Sequence, residues 1–309
     1  MTIFLQYDFP SILLGVLAAL SCGLLGNFLL LRGQSLMGDT ISHVVLPGIV
    51  GGFLFAGAVS SWAMMGGAGV AAIVSVGLIE LVRRVGRVET QAAMGLVFTT
   101  MFALGVLLLE RTGAAGIHLD VEHALYGSLE SAVWLAATAP SDLADRATLA
   151  MLPDSVHRLA VVVLIIIAFI LAFYKELKLV SFDAALADSL GIPSRWVGFA
   201  LVVMTAIAAV AAFDAVGSIL VIAMFVCPAA TARMLTDSLR LQLWISAGVA
   251  VSSGIVGYVA GAFGPQLLGY ASSISAAGMI ALTAGLFQLA AMLFAPRYGV
   301  LRQPAETSI

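Results

Sequence analysis

Asp39 and His43 stand four residues apart in the run Ser35-Leu-Met-Gly-Asp-Thr-Ile-Ser-His43, inside a very apolar part of the chain. On a helix, residues at that spacing share a face about one turn apart, so carboxylate and imidazole can reach one point. Ionisable groups at membrane depth are costly, and they usually line a pathway or a site. An oxygen donor beside a nitrogen donor is what a divalent transition metal selects. The pair reads as ligands on a metal route through a bilayer. The competing reading is a polar pair that only supports helix packing close to the membrane surface, because Arg32 is near in sequence. Ser42 adds a hydroxyl, which reads as a packing contact between membrane helices rather than a ligand.

Other polar groups carry weaker signals. Asp214, in the stretch Phe213-Asp-Ala-Val-Gly217, reads as capping a tight turn rather than facing a vestibule. His118, Asp120, Glu122 and His123 form a donor-rich cluster in a long loop. Loop histidines are usually just solvated, and that reading is preferred to metal capture. Pro228 lies within an apolar run, where its missing N–H either frees a carbonyl near a pathway or merely kinks the helix. Cys22 and Cys227 lack zinc-site spacing and read as buried packing residues. No phosphate-binding loop is possible, because the only lysines, Lys175 and Lys178, do not follow a glycine. ATP hydrolysis must then belong to another subunit, and the chain is not expected to be an enzyme. No Cys/His zinc cluster, nucleophile elbow, dinucleotide fingerprint or nucleic-acid groove is visible, and no permanently bound cofactor is expected.

The elements that must hold Asp39 and His43 follow from composition. Of 309 residues, 61% are hydrophobic and 10% charged, against about 25% charged in soluble domains. With a mean hydropathy of +1.10, the chain is expected to be an all-α, polytopic integral membrane bundle forming one domain over 1–309. Apolar stretches lie at 11–31, 38–57, 64–82, 91–109, 159–174, 243–262 and 274–294. The stretch 196–232 is too long for one crossing of about 20 residues and is read as two helices turning near Phe213–Gly217. That makes about nine spans, or eight if one piece is re-entrant. Residues 1–10 hold no Lys or Arg, so the basic start of a signal peptide is missing and 11–31 reads as a retained span.

Basic residues orient the spans. Eleven of the 14 fall in one set of loops: Arg32, Arg83, Arg84, Arg87, Lys175, Lys178, Arg195, Arg233, Arg240, Arg297 and Arg302. The other set holds Arg111, Arg146 and Arg158. The first set is expected in the cytoplasm, with the N-terminus outside and the C-terminus inside. Trp62, Trp196 and Trp244 fall at the expected span ends, as an interfacial belt would place them. The outer loop 110–158 holds seven acidic residues against three arginines. Its Ala124–Ala137 part is apolar enough to lie on the membrane as a short helix. In the cytoplasmic loop 175–195, Asp183 is placed to cap a helix bearing Leu186 and Leu190, with Gly191 as its stop. A short amphipathic helix there suits docking to another protein.

Three ordered blocks carry a resemblance to a known family. They are Leu31-Arg-Gly-Gln-Ser-Leu-Met-Gly-Asp-Thr-Ile-Ser-His-Val-Val-Leu-Pro-Gly48, Tyr174-Lys-Glu-Leu-Lys-Leu-Val-Ser-Phe-Asp-Ala-Ala-Leu-Ala-Asp-Ser-Leu-Gly-Ile192 and Val216-Gly-Ser-Ile-Leu-Val-Ile-Ala-Met-Phe-Val-Cys-Pro-Ala-Ala-Thr-Ala232. Together they resemble the ABC-3 permeases of bacterial ATP-binding-cassette importers for manganese, zinc and iron, with the manganese/iron branch more similar. The resemblance implies a bacterial inner-membrane permease that works as a homodimer or heterodimer. It also implies a cytoplasmic ATPase dimer and an extracytoplasmic metal-binding protein that delivers Mn2+, Zn2+ or Fe2+. It places the metal-contacting groups at Asp39 and His43 and the coupling segment at Asp183, Leu186, Leu190 and Gly191. Three rivals remain. A proton-coupled metal transporter would use the pair as a relay, a permease for a siderophore or cobalamin would want a wide, ligand-poor cavity, and a membrane scaffold would tolerate loss of both ligands.

Overall fold

The computed structural model describes residues 2, 4–57, 61–111, 129, 132–137, 139, 140, 142, 145–267, 274–295, 299 and 301, with Asp39, Ser42, Ser61, Trp62, Met65, Asp214, Ser218 and Leu267 described as backbone only. The donor-rich cluster at His118, Asp120, Glu122 and His123 lies outside those residues. Helix is the only regular structure among the described residues. A bilayer offers the backbone no water, and a helix pairs its own N–H and C=O groups.

A single π-helical stretch, Phe4–Asp8, leads into α1, Phe9–Leu31. Then come α2, Met37–Ala56; α3, Ser61–Gly86; α4, Thr90–Arg111; and the single turn α5, Arg146–Leu149. The second half holds α6, Asp154–Ala172; α7, Tyr174–Phe182; α8, Ala184–Ser189; α9, Ser194–Val216; α10, Ser218–Leu235; α11, Leu239–Leu267; and α12, Ala276–Phe294. Nine of the described helices are 18 residues or longer. Six of them include a stretch long and apolar enough to cross a membrane.

Glycine and proline set the boundaries. Pro10 opens α1, where its missing N–H costs nothing. Gly57 ends α2 with φ +64 and donates its N–H to the Phe53 carbonyl at 2.9 Å, a left-handed cap that favours glycine. The long apolar stretch divides as expected: α9 stops at Val216, Gly217 takes φ +78, and α10 starts at Ser218. Two local expectations differ from the structure. Residues 132–137, the end of the stretch read as a surface helix, are not helical, and Trp134 is fully buried. Its backbone N–H donates to the Gln6 carbonyl and its indole N–H to Thr148, so the N-terminal segment takes up this part of the loop. The segment 175–195 is also more ordered than a loop, since α7 continues almost directly from α6.

Helix α1 is the centre of the bundle, packed by α6, α9, α10 and α11. Leu14, Ala18, Cys22, Leu25 and Phe28 on it are all buried. Lipid tails are as apolar as leucine, so close packing of small residues and interhelical hydrogen bonds must hold such a bundle. Both kinds appear. Asn27 and Gln242 are 0% exposed, and Gln242 Nε2 donates to Asn27 Oδ1 at 3.0 Å across α1 and α11. Asn27 Nδ2 and the Ser246 hydroxyl both donate to the Gly23 carbonyl. On the other side α2 lies between α3 and α4. A Cβ on Gly48 would stand 2.5 Å from the Gly67 carbonyl oxygen, so the α2–α3 approach requires glycine.

Candidate functional site

Asp39 is the third residue of α2 and His43 the seventh, so the pair occupies the first two turns. At about 1.5 Å rise per residue the two Cα atoms are about 6 Å apart along the axis. A carboxylate in a first helical turn also sits where the backbone dipole favours negative charge. The turn begins without a side-chain cap at Leu36, and the Thr40 hydroxyl donates back to the Leu36 carbonyl at 3.0 Å.

The imidazole of His43 is half-buried and points toward α4. Its ring lies 4.7 Å from that of Phe98, tilted at 58°, and 5.5 Å from that of Phe102, edge-on at 85°. Two aromatic neighbours of fixed geometry restrict how the imidazole turns. One turn further along α2, Pro47 packs on Gly105, where a Cβ would stand 2.8 Å from Pro47 Cδ. The α2–α4 seam thus carries the histidine, two phenylalanines, and a proline seated on a glycine. Phe98 and Phe102 escaped the sequence reading, because phenylalanines four apart on an apolar helix look the same as any lipid-facing or core pair.

Pro228 lies inside α10, three residues after Phe225. Having no N–H, it cannot donate to the Met224 carbonyl four residues back. Both cysteines are free thiols; Cys22 is buried, as expected of a packing residue, whereas Cys227 is only half-buried. Among the described residues, no group of three or more His, Cys, Asp or Glu side chains converges to hold a metal. Asp214 lies in the last turn of α9, just before the Gly217 turn.

The helix start and stop at Asp183 and Gly191 are built as those residues suggested. The Asp183 carboxylate accepts from the Leu186 N–H at 2.9 Å and caps α8. Gly191 takes φ +81, and the Ile192 N–H reaches back to the Ala187 carbonyl at 3.0 Å, closing the helix end. Asp188, not singled out from sequence, accepts from both the backbone N–H and the hydroxyl of Ser194 at 2.9 Å. That ties α8 to the start of α9. Leu186 and Leu190 are 46% and 64% exposed.

A bundle of long helices, six of them with a stretch long and apolar enough to cross a membrane, is the architecture of a multi-pass membrane protein. The model of the ABC 3 transport family matches residues 5–134 and 147–295, and the chain belongs to that family. It is 37% identical over 294 residues to the manganese transport system membrane protein MntD of Bacillus subtilis (strain 168), covering 95% of this chain and 94% of that protein. It is also 37% identical over 292 residues to the zinc transport system membrane protein TroD of Treponema pallidum (strain Nichols), covering 94% of this chain and 75% of that one. Among solved structures it is similar to PsaBC from Streptococcus pneumoniae in complex with Fab, with a TM-score of 0.73 and 27% identity, covering 94% of this chain and 93% of that one.

Proposed function

We propose that this chain is the membrane permease subunit of an ATP-driven importer that passes a divalent transition metal into the cytoplasm, with Mn2+ the favoured cargo. What carries the reading is the placement of His43, held by Phe98 and Phe102 four residues after Asp39, in a chain so similar to a manganese transport membrane protein. Asp39 offers a hard oxygen and His43 a nitrogen, a set that accepts Mn2+, Zn2+ or Fe2+. The equal identity to a zinc transport protein keeps Zn2+ in the cargo set. A pathway site must also release its ion, and a small number of strong ligands suits that.

The rest of the assembly follows. The whole chain, 1–309, forms one transmembrane domain of the bacterial inner membrane, with 110–158 outside, 175–195 in the cytoplasm, the N-terminus out and the C-terminus in. The ATPase is a separate cytoplasmic dimer that docks on α8 through Leu186 and Leu190. An extracytoplasmic metal-binding protein delivers the ion, and a second permease subunit completes the membrane part. Metal uptake into vesicles reconstituted with the full complex is expected to require ATP inside the ATPase compartment. Uptake driven by a proton gradient without ATP would mean a secondary transporter instead.

A further inference from the structure

Phe225 is 2% exposed and stands where α1, α2 and α10 meet. Its ring lies against Gly38, the residue before Asp39. A Cβ there would stand 2.6 Å from the Phe225 Cγ, inside the ring's contact distance. Its backbone lies against Gly26 of α1, where a Cβ would stand 2.9 Å from the Phe225 carbonyl carbon. Around it, the turn Met224–Pro228 runs along the same face of α1. A Cβ on Gly23 would sit 3.5 Å from the Pro228 Cβ and 3.6 Å from the Met224 carbonyl oxygen. One phenylalanine therefore wedges a proline-bearing turn of α10 between two glycines, one on the central helix and one adjoining the candidate ligand.

We propose that Phe225 is a positioning residue for metal transfer, its ring setting where the first turn of α2, and with it Asp39, stands. The proposal rests on the Asp39–His43 reading above. An ordinary core phenylalanine needs neighbours of suitable volume. This one faces a position with no side chain at all, so the backbone of the ligand-bearing turn is what it touches. A packed interior transmits displacement because it has no slack to absorb it. Outer-shell groups hydrogen-bonded to metal ligands typically cost about 10- to 100-fold in metal affinity when removed, which sets the upper scale for a packing contact that positions a ligand-bearing turn.

The test is Mn(II) binding to the purified full-length permease in lipid nanodiscs, followed by electron paramagnetic resonance of the free ion, with folding monitored by thermal unfolding. Phe225→Ala is expected to weaken Mn(II) by about 10- to 100-fold. Ile166→Ala, an equally buried truncation on α6, leaves Mn(II) binding at the wild-type level while lowering thermal stability. Gly38→Ala weakens binding by pushing the turn off the ring. Adding Phe225→Leu to Gly38→Ala recovers part of it, since the shorter side chain makes room. That pair keeps the bulk of the core and serves if Phe225→Ala does not fold. Wild-type affinity in Phe225→Ala, or no recovery in the double variant, alongside lost binding in His43→Ala, overturns the role of Phe225 alone. An equal loss of binding in Ile166→Ala also overturns it, as a general packing effect. Wild-type affinity in His43→Ala overturns the metal reading itself, and this proposal with it.

Discussion

At the scale of single residues, two kinds of polar group sit in this apolar chain and do different work. Asn27 and Gln242 pair with each other at 3.0 Å and are wholly buried, which is a structural use. Replacing only Gln242 with Leu leaves the Asn27 carbonyl oxygen without its donor. The thermal unfolding midpoint should fall, by an amount corresponding to about 1 kcal/mol. The double change Asn27→Leu with Gln242→Leu should restore most of it, because no half-satisfied group remains. A double variant less stable than Gln242→Leu would show that the pair does more than satisfy itself. His43 differs in kind: its ring neighbours are Phe98 and Phe102, and two rings of fixed geometry restrict how the imidazole turns. Truncating Phe102 to Ala should leave the bundle folded and lower metal uptake several-fold, measured at matched membrane abundance. Unchanged uptake would mean that the ring does not orient the ligand.

At the scale of elements, α8 is the clearest case of sequence and structure agreeing. Asp183 and Gly191 mark a helix start and stop by mechanisms that need only local backbone, and both operate as the residues suggested. Such signals are legible because a cap involves residues a few positions apart. The same holds for the division of 196–232 at Gly217, where a positive φ favours glycine. What could not be read was long-range. Trp134 lay in an apolar stretch that suited a surface helix, yet its burial depends on Gln6 and Thr148, 128 residues before it and 14 after it. For α8 itself, replacing Leu186 and Leu190 with Asp should release the ATPase, because charge would fill an apolar docking face. Co-elution of the ATPase with that variant at wild-type stoichiometry would remove the docking assignment. Asp183→Ala should act in the same direction but more weakly, since a lost cap costs only about 1 kcal/mol.

At the scale of the whole molecule, composition alone settled the class, because 10% charge cannot cover a soluble surface. The number of long helices followed from apolar run lengths, with errors of a few residues at the ends. The third helix runs on to Gly86, four residues past the expected end, carried by Arg83 and Arg84, which both pair with Glu80. The candidate ligands were visible as a spacing. Their surroundings were not, since Phe98, Phe102 and Phe225 come from two other helices and look like any apolar residue in the sequence. A site of one carboxylate and one imidazole has an intrinsic preference that follows the Irving–Williams order, Zn2+ above Mn2+. Zn2+ should therefore inhibit Mn2+ uptake even when the delivery protein is already loaded with Mn2+, and His43→Asp should weaken that inhibition. Uptake indifferent to Zn2+ under those conditions would contradict an accessible site of this composition.

The central claim is that Asp39 and His43 stand in the path of the metal. Radiometal uptake in cells tests it most directly, comparing wild type with Asp39→Asn and His43→Ala at matched membrane abundance. Each substitution is small beside the packing of α2 against α3 and α4, so both proteins should accumulate in the membrane. Both should lose uptake of 54Mn(II) almost completely, as expected when few ligands carry the ion and none is spare. Near-normal uptake by both variants would contradict the account and leave the pair as packing residues.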